Sequence, residues 1–144
     1  MKVRELMLRD LTSVDPADTI RTLIETLESA ETSSVPVTDE NNRLVGIVSE
    51  RDVLAVALPR YMELLQNASF VPNLDQLASG LARIEDQPIR KFMNETPVRV
   101  DALAEDLQAA DLMLRHKLRL LPVVDQDGVL VGIVRRVDLF RLVL

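Results

Sequence analysis

The feature that most constrains this chain is an internal duplication. Residues 35–53, VPVTDENNRLVGIVSERDV, return eighty-six positions later as residues 121–139, LPVVDQDGVLVGIVRRVDL. Both copies keep a Pro-Val pair, an apolar run around a Val-Gly pair, and an aspartate at the same offset. Because an ordered copy of this length repeats one supersecondary unit, the sequence predicts two units of like fold.

Each copy is predicted to fold as strand, turn, strand and helix. Residues 35–38 are a short apolar run, residues 39–42 supply turn formers, and residues 44–48 are typical of a strand buried on both faces. Short extended pieces at 12–14 and 98–100 and an amphipathic helix precede the strands, which gives the order β-α-β-β-α. The predicted apolar stripes of these helices are Ile20, Leu23, Ile24 and Leu27 in the first copy, and Leu107, Ala110, Met113 and Leu114 in the second. The spacing leaves the register of the second stripe undecided by one residue.

An aspartate stands at the start of each closing helix, and two roles are open for it. Asp52 follows Ser49 by three residues, so the pair can form a variant of the capping box. In the second copy Arg135 replaces the serine. Asp138 would then be stabilised at the helix start by the helix dipole alone, which contributes roughly 0.3–1 kcal/mol. The alternative is that both carboxylates face a cleft and accept hydrogen bonds from a ribose diol. The spacing alone does not decide between these roles.

At these residues the chain resembles the CBS domain family, named for cystathionine β-synthase, and the pair of copies is similar to a tandem Bateman module. The resemblance covers residues 1–58 and 89–144. It implies an α+β fold in which two β-α-β-β-α repeats pack sheet to sheet about a pseudo-twofold axis, with residues 59–88 as a helical insertion between them. It also implies clefts between the repeats that bind an adenosine-containing ligand, such as AMP, ADP, ATP, S-adenosylmethionine or an NAD-like compound.

The resemblance further implies which side chains line these clefts. The family pattern G-h-x-(S/T)-x-x-D matches residues 46–52, and residues 132–138 match it with an arginine at the hydroxyl position, which either holds a phosphate or fills the cleft. Positions just before the Pro-Val strand face phosphate in this family, and the apolar members lie against the adenine. The expected ligand-binding residues are Ser49, Asp52, Ser34, Val35, Pro36 and Val14 in the first copy, and Arg119, Arg135, Asp138, Leu121, Pro122 and Val100 in the second.

The insertion contains two candidate helices. One covers residues 60–66, and the other is capped by Asn73 with a stripe of Leu74, Leu77, Ala78 and Leu81. Because an amphipathic helix must bury its stripe, we expect the insertion either to pack on the flank of the module or to contribute to a dimer or partner interface.

Charge and residue inventory exclude several classes of function. A net charge of −6 argues against a general nucleic-acid surface, although residues 89–144 hold nine basic and eight acidic side chains, against eight and fifteen in residues 1–88. An anionic ligand would therefore find its counter-charges in the second repeat. One histidine, His116, and no cysteine leave no zinc motif, and the four glycines form neither GxGxxG nor a P-loop. No apolar run approaches the ~18 residues of a membrane span, so we expect a cytoplasmic protein.

These observations favour a non-catalytic regulatory module over an enzyme. The expected module senses an adenosine nucleotide, as in energy sensing, needs no cofactor or metal, signals to an unknown effector protein and forms a homodimer. The alternative is an interaction scaffold of the same fold with empty or blocked clefts.

Overall fold

The computed structural model describes residues 1–10, 12–58 and 75–144. The helix candidate at 60–66 and the predicted cap Asn73 lie outside the described residues. In chain order the described elements are α1 (Val3–Leu6), α2 (Ile20–Ala30), β1 (Ser34–Thr38), β2 (Leu44–Ser49), α3 (Glu50–Ala57), α4 (Gln76–Ile84), a 3-10 turn (Ile89–Lys91), β3 (Val100–Asp101), α5 (Asp106–Arg115), β4 (Leu120–Val124), β5 (Leu130–Arg135), α6 (Arg136–Leu139) and a second 3-10 turn (Phe140–Val143). None of these helices is long and apolar enough to cross a membrane.

Each repeat contains an antiparallel strand pair with the same register. Val35 of β1 lies opposite Val48 of β2, and eighty-six positions later Leu121 of β4 lies opposite Val134 of β5. In the second repeat β3 extends the sheet in parallel with β4, whereas in the first repeat this strand is reduced to a parallel bridge between residues 14 and 37. The predicted α+β fold of two repeats is therefore confirmed.

The first residues of each repeat pair with the other repeat. Leu8 and Ile133 exchange backbone N–H···O bonds of 2.8 and 3.0 Å. Asn94 and Ile47, their counterparts eighty-six positions away, exchange bonds of 2.9 and 3.1 Å. Residue 43 forms a bridge with residue 129, which is the same position of the repeat eighty-six residues later. Such reciprocal pairing is what a pseudo-twofold axis produces, and the axis passes beside this bridge.

This exchange also reaches the apolar cores. Ile89, from the start of the second repeat, is fully buried in the core of the first, among Val14, Ile20, Leu23, Val35 and Val48. Val3, from the start of the first repeat, is fully buried in the core of the second, among Val100, Ala109, Met113, Leu121 and Val134. Each core is therefore built from both repeats.

The predicted stripe of α5 is wrong at its two ends. Leu107 and Leu114 are 76% and 81% exposed, whereas Ala109 and Met113 are buried. The helix is turned so that Ala109 faces the sheet, because its small side chain allows a close approach. In α2 the stripe is confirmed at Ile20, Leu23 and Leu27, while Ile24 is partly exposed.

The second insertion helix begins at Gln76, and its predicted stripe is also partly wrong. The N-cap residue is Asp75, Leu77 is exposed, and Gly80 and Ile84 are the buried positions. A Cβ atom at Gly80 would overlap the carbonyl oxygen of Ala57 in α3. The absence of a side chain at this glycine lets α4 lie directly against α3, which fixes the buried face of the helix.

Candidate functional site

The capping box predicted at the start of α3 is present. Ser49 Oγ accepts a hydrogen bond from the Asp52 amide at 3.2 Å. Asp52 Oδ2 accepts from the Ser49 amide at 2.9 Å and from Ser49 Oγ at 3.0 Å. Within the described part of the chain, the hydrogen bonds to this carboxylate use Oδ2, which leaves Oδ1 for a donor in the neighbouring cleft. Capping and ligand binding are therefore compatible roles for Asp52.

Asp52 lines a cleft of about 600 Å³ between the two repeats, named here the Asp52 cleft. The end of β2 and the start of α3 form one wall, and the segment between α5 and β4 of the second repeat forms the other. The lining residues are Ser33, Ser34, Ile47, Val48, Ser49, Glu50, Arg51, Asp52, Asn94, Lys117, Leu118, Arg119 and Leu120. The structure thus brings Ser34, Ser49 and Asp52, named from the first copy, into one cleft with Arg119, named from the second.

The two walls of the Asp52 cleft carry complementary groups. The first repeat contributes the Ser49 hydroxyl and the Asp52 carboxylate, and the second contributes the cations Lys117 and Arg119. Lys117 has a left-handed backbone, φ 54°, just after the end of α5. The arrangement can accept a donor diol at one wall and an anion at the other.

Three further lining residues, Lys117, Arg51 and Asn94, were not predicted. Lys117 lies two positions before the predicted Arg119, and this proximity is the signal from which it could have been predicted. Asn94 enters the cleft through the exchanged pairing with Ile47, for which the sequence carries no signal.

The pseudo-equivalent cleft is much smaller, about 140 Å³, and is named here the Arg135 cleft. Its lining residues are Leu8, Asp10, Thr12, Ala30, Glu31, Thr32, Ser34, Val35, Pro36, Leu120, Ile133 and Arg135. Val35 and Pro36, which were named from the first copy together with Asp52, line this cleft, and Ser34 at the start of β1 lines both clefts.

Asp138, the counterpart of Asp52, is buried and fully engaged by two arginines. Its Oδ2 accepts from the Arg135 amide at 2.8 Å and from Arg135 Nε at 3.1 Å. Its Oδ1 accepts from Arg135 Nη2 at 2.9 Å and lies 3.2 Å from Arg141 Nη2. Burial alone would raise the pKa of Asp138, but the hydrogen bonds and charge of Arg135, together with Arg141, hold it below the ordinary value. The same hydrogen bonds raise the pKa of Arg135.

The predicted apolar site residues lie in the interior. Val14, Val100 and Leu121 are 4%, 2% and 0% exposed, and Pro122 is also buried. They belong to the strands beneath the clefts and are not among the lining residues of either cleft. Their contact with an adenine stays a prediction.

His116, the one histidine of the sequence, is the exposed C-cap of α5. Among residues 1–10, 12–58 and 75–144, no three potential metal ligands are grouped together.

Comparison with known proteins identifies the family. The family model described as the CBS domain matches residues 3–58 and again residues 89–144. The chain belongs to the CBS domain family. The division of this CBS pair into domains at residues 58 and 89 stays a prediction. The first residues of each matched segment pack into the other segment, so the two segments are not separate in space.

Related CBS proteins differ in length from this chain. The chloroplastic CBS domain-containing protein CBSX1 of Arabidopsis thaliana is 32% identical over 139 residues, which cover 92% of this chain and 58% of CBSX1. An inosine-5'-monophosphate dehydrogenase of Methanocaldococcus jannaschii is 27% identical over 142 residues, but these are only 23% of that enzyme. The chain thus spans little more than half of one relative and a quarter of the other.

Solved CBS structures share the fold over the whole chain. The crystal structure of CBSX2 from Arabidopsis thaliana has a TM-score of 0.80 and 28% identity, covering 99% of this chain and 93% of that one. CBSX2 in complex with AMP has a TM-score of 0.75 at the same identity, covering 99% and 95%. The tandem CBS fold expected from the resemblance is therefore confirmed.

Proposed function

We propose that this CBS pair is a non-catalytic regulatory module that binds an adenosine nucleotide in the Asp52 cleft and signals its presence to a partner protein. The observation that carries the proposal is the pairing of a ribose-type acceptor, Asp52, with Lys117 and Arg119 across one cleft. The complex of CBSX2 with AMP supports the ligand class. A cytoplasmic location stays part of the proposal.

The chemistry of the cleft suits a nucleoside phosphate. The ribose hydroxyls would donate to Asp52 Oδ1, and the phosphate would lie against the cations of the opposite wall, where the guanidinium of Arg119 offers paired donors. A volume of about 600 Å³ is within the range of small-molecule sites, roughly 300–1,000 Å³.

The position of the cleft also suits regulation. The ligand would contact both repeats at once, so its binding free energy depends on how the repeats are placed relative to each other. A ligand with this property shifts the population between two arrangements of the repeats, which a partner protein can distinguish.

Calorimetric titration with AMP tests the proposal. We expect Asp52→Asn and Arg119→Ala each to weaken AMP binding by roughly 10-fold to 100-fold, because each removes hydrogen bonds to a charged group, about 1.5–3 kcal/mol. The asparagine keeps an acceptor for the helix cap. Arg90→Ala, an exposed position on the turn Ile89–Lys91, is the matched control and should bind as the wild type does.

The rival proposal is an interaction scaffold with empty clefts. It is favoured if AMP, ADP, ATP, S-adenosylmethionine and NAD all leave the melting temperature of the wild type unchanged. A ligand at 100 times its dissociation constant would stabilise the folded state by about 2.7 kcal/mol, which is readily measured.

We also propose that the module forms a homodimer through an apolar face of the second repeat. In the first repeat α4 covers α3, and Ala57 is 3% exposed, whereas its counterpart in the second repeat, Val143, is 86% exposed. The exposed large apolar side chains of the second repeat include Leu107, Leu114, Val137, Phe140 and Val143. An exposed apolar face of this kind is typical of a protein–protein interface.

Light scattering coupled to gel filtration tests the dimer. The wild type should elute at twice the chain mass, and Phe140→Glu should convert it to the chain mass because a carboxylate would be desolvated in the interface. Leu54→Glu, at the corresponding position of the first repeat, is the control and should leave the dimer intact. A wild type of single chain mass at micromolar concentration would contradict the proposal.

A further inference from the structure

The two clefts come from one duplicated motif but offer different chemistry. We infer that the Arg135 cleft is closed by an internal ion-pair cluster, Arg135, Asp138 and Arg141, so that this chain binds one nucleotide rather than two. This inference rests on the proposed function of the Asp52 cleft. The residues of the ion-pair cluster are the reason why the second cleft does not bind a nucleotide.

The first step concerns the carboxylates. Ser49 hydrogen-bonds Oδ2 of Asp52, and no hydrogen bond within the described residues uses its Oδ1, whereas both oxygens of Asp138 are engaged by arginine. The Asp138 side chain is 0% exposed. A ribose hydroxyl would have to displace a charged donor from a buried carboxylate and replace it with a neutral one, which is unfavourable. Arg135 thus occupies the place that a ligand would take.

The second step concerns space. The Arg135 cleft measures about 140 Å³, less than a quarter of the Asp52 cleft. This volume is below the roughly 300 Å³ at which small-molecule sites begin. The side chain at position 135 is an arginine where the first copy has a serine, and it takes up part of the cleft.

The wall opposite Arg135 carries carboxylates, whereas the corresponding wall of the Asp52 cleft carries cations. Glu31 stands in the Arg135 cleft where Lys117 stands in the Asp52 cleft, and both have left-handed backbones, with φ 51° and 54°. Asp10 also lines the Arg135 cleft, and hydrogen bonds from the Thr12 side chain and amide hold its pKa below the ordinary value, so it is ionised. A phosphate would therefore meet two carboxylates where the Asp52 cleft offers cations.

The cluster has a structural role instead. Arg141 Nη1 donates to the carbonyl oxygen of Leu6 at 3.1 Å, so the arginine that pairs with Asp138 also holds the exchanged α1 segment. Asp138 of the second copy of the motif is therefore part of this link between the repeats.

Calorimetric stoichiometry with AMP tests the inference. We expect one site per chain in the wild type, and in Asp52→Asn the same single site with the affinity lowered by roughly 10-fold to 100-fold. The double variant Arg135→Ser and Glu31→Lys, which gives the second cleft the residues of the first at these two positions, should raise the stoichiometry to two. The reciprocal double variant, Ser49→Arg and Lys117→Glu, should abolish binding.

The outcomes separate the inference from the function on which it rests. Two sites in the wild type, or one site of unchanged affinity in Asp52→Asn, would overturn the inference and leave nucleotide binding standing. A folded Arg135→Ser and Glu31→Lys variant that stays at one site would overturn the role given to these residues. If that variant fails to fold, the wild-type stoichiometry and the affinity of Asp52→Asn decide alone. No AMP binding by the wild type would remove the proposed function and the inference together.

Discussion

Asp52 and Asp138 hold the same position in the two repeats, but their carboxylates have different neighbours. Within the described residues only Oδ2 of Asp52 accepts hydrogen bonds, from Ser49, whereas Arg135 engages both oxygens of Asp138. One substitution within a duplicated motif is therefore enough to place the carboxylate in an internal ion pair. The consequence for stability can be measured apart from any ligand.

We expect Asp138→Asn to lower the free energy of unfolding at pH 7 by roughly 1–3 kcal/mol, because it leaves donors of Arg135 poorly paired. The pKa of Asp138 is lowered in the folded state from its ordinary 3.8, so its stabilisation is full above that value and is lost as pH falls through 3.8 towards the folded pKa. Urea denaturation between pH 7 and pH 2 should therefore give a shallower decline for Asp138→Asn than for the wild type.

The control for this measurement is Asp111→Asn, which breaks an exposed pair with Arg115. It should change the free energy of unfolding by less than about 0.5 kcal/mol, since exposed pairs contribute little. Parallel pH profiles for the wild type and Asp138→Asn would show that the buried cluster contributes no pH-dependent stability.

Local spacing explains which site residues could be predicted. Ser49 and Asp52 form a capping box within four residues, so the sequence alone specifies their geometry. Lys117 and Arg119 reach the same cleft only because the second repeat lies across from the first. No local pattern records that relation, so the sequence does not show that Arg119 of the second copy lies in one cleft with Asp52 of the first.

At the scale of elements, the glycines of β2 and β5 mark where the exchanged segments cross the sheets. A Cβ atom at Gly132 would lie 2.6 Å from the Leu8 carbonyl oxygen and 2.7 Å from Met7 Sδ. At Gly46 it would lie 2.9 Å from the Asn94 carbonyl oxygen and 2.8 Å from Met93 Sδ. The Val-Gly pair kept in both copies therefore serves close backbone approach, which the motif alone did not reveal.

Gly132→Ala should lower the free energy of unfolding by about 1–3 kcal/mol, because the backbone of Leu8 must move and its pairing with Ile133 is strained. Thermal or urea denaturation measures the change. Gly128→Asn is the matched control, since nothing lies within 4 Å of an added Cβ and its counterpart Asn42 already has φ 61°. The control should cost less than about 1 kcal/mol; equal losses at both positions would contradict the close-approach argument.

The helix stripes show the limit of periodicity at this scale. The large apolar residues Leu107 and Leu114 suggested the buried face of α5, but Ala109 and Met113 occupy it. A helix can lie close to a sheet where its facing side chain is small. A prediction that ranks residues by hydrophobicity favours large side chains and therefore misses such a position. The leucines are left on the outer face, where they supply the proposed dimer surface.

At the scale of the whole molecule, the repeats in the sequence are not the units of the core. The duplication predicts two like halves, and the structure has them, but the first residues of each half pack into the other. The sequence cannot distinguish this exchange from packing within one repeat, because both copies carry equivalent residues at these positions. Only the three-dimensional pairing separates the two cases.

The exchange makes a prediction about where a mutation acts. Val3→Ala should lower the free energy of unfolding by about 2–3 kcal/mol, because two buried methyl groups are removed from a close-packed core. If the exchange is correct, the loss of hydrogen-exchange protection appears first in β3, β4 and β5 rather than in β1 and β2, although Val3 belongs to the first repeat. Ile89→Ala, its counterpart, should produce the opposite pattern. Protection lost from β1 and β2 in the Val3 variant would mean that each repeat closes on its own residues, and a ligand between the repeats would then have no shared core through which to act.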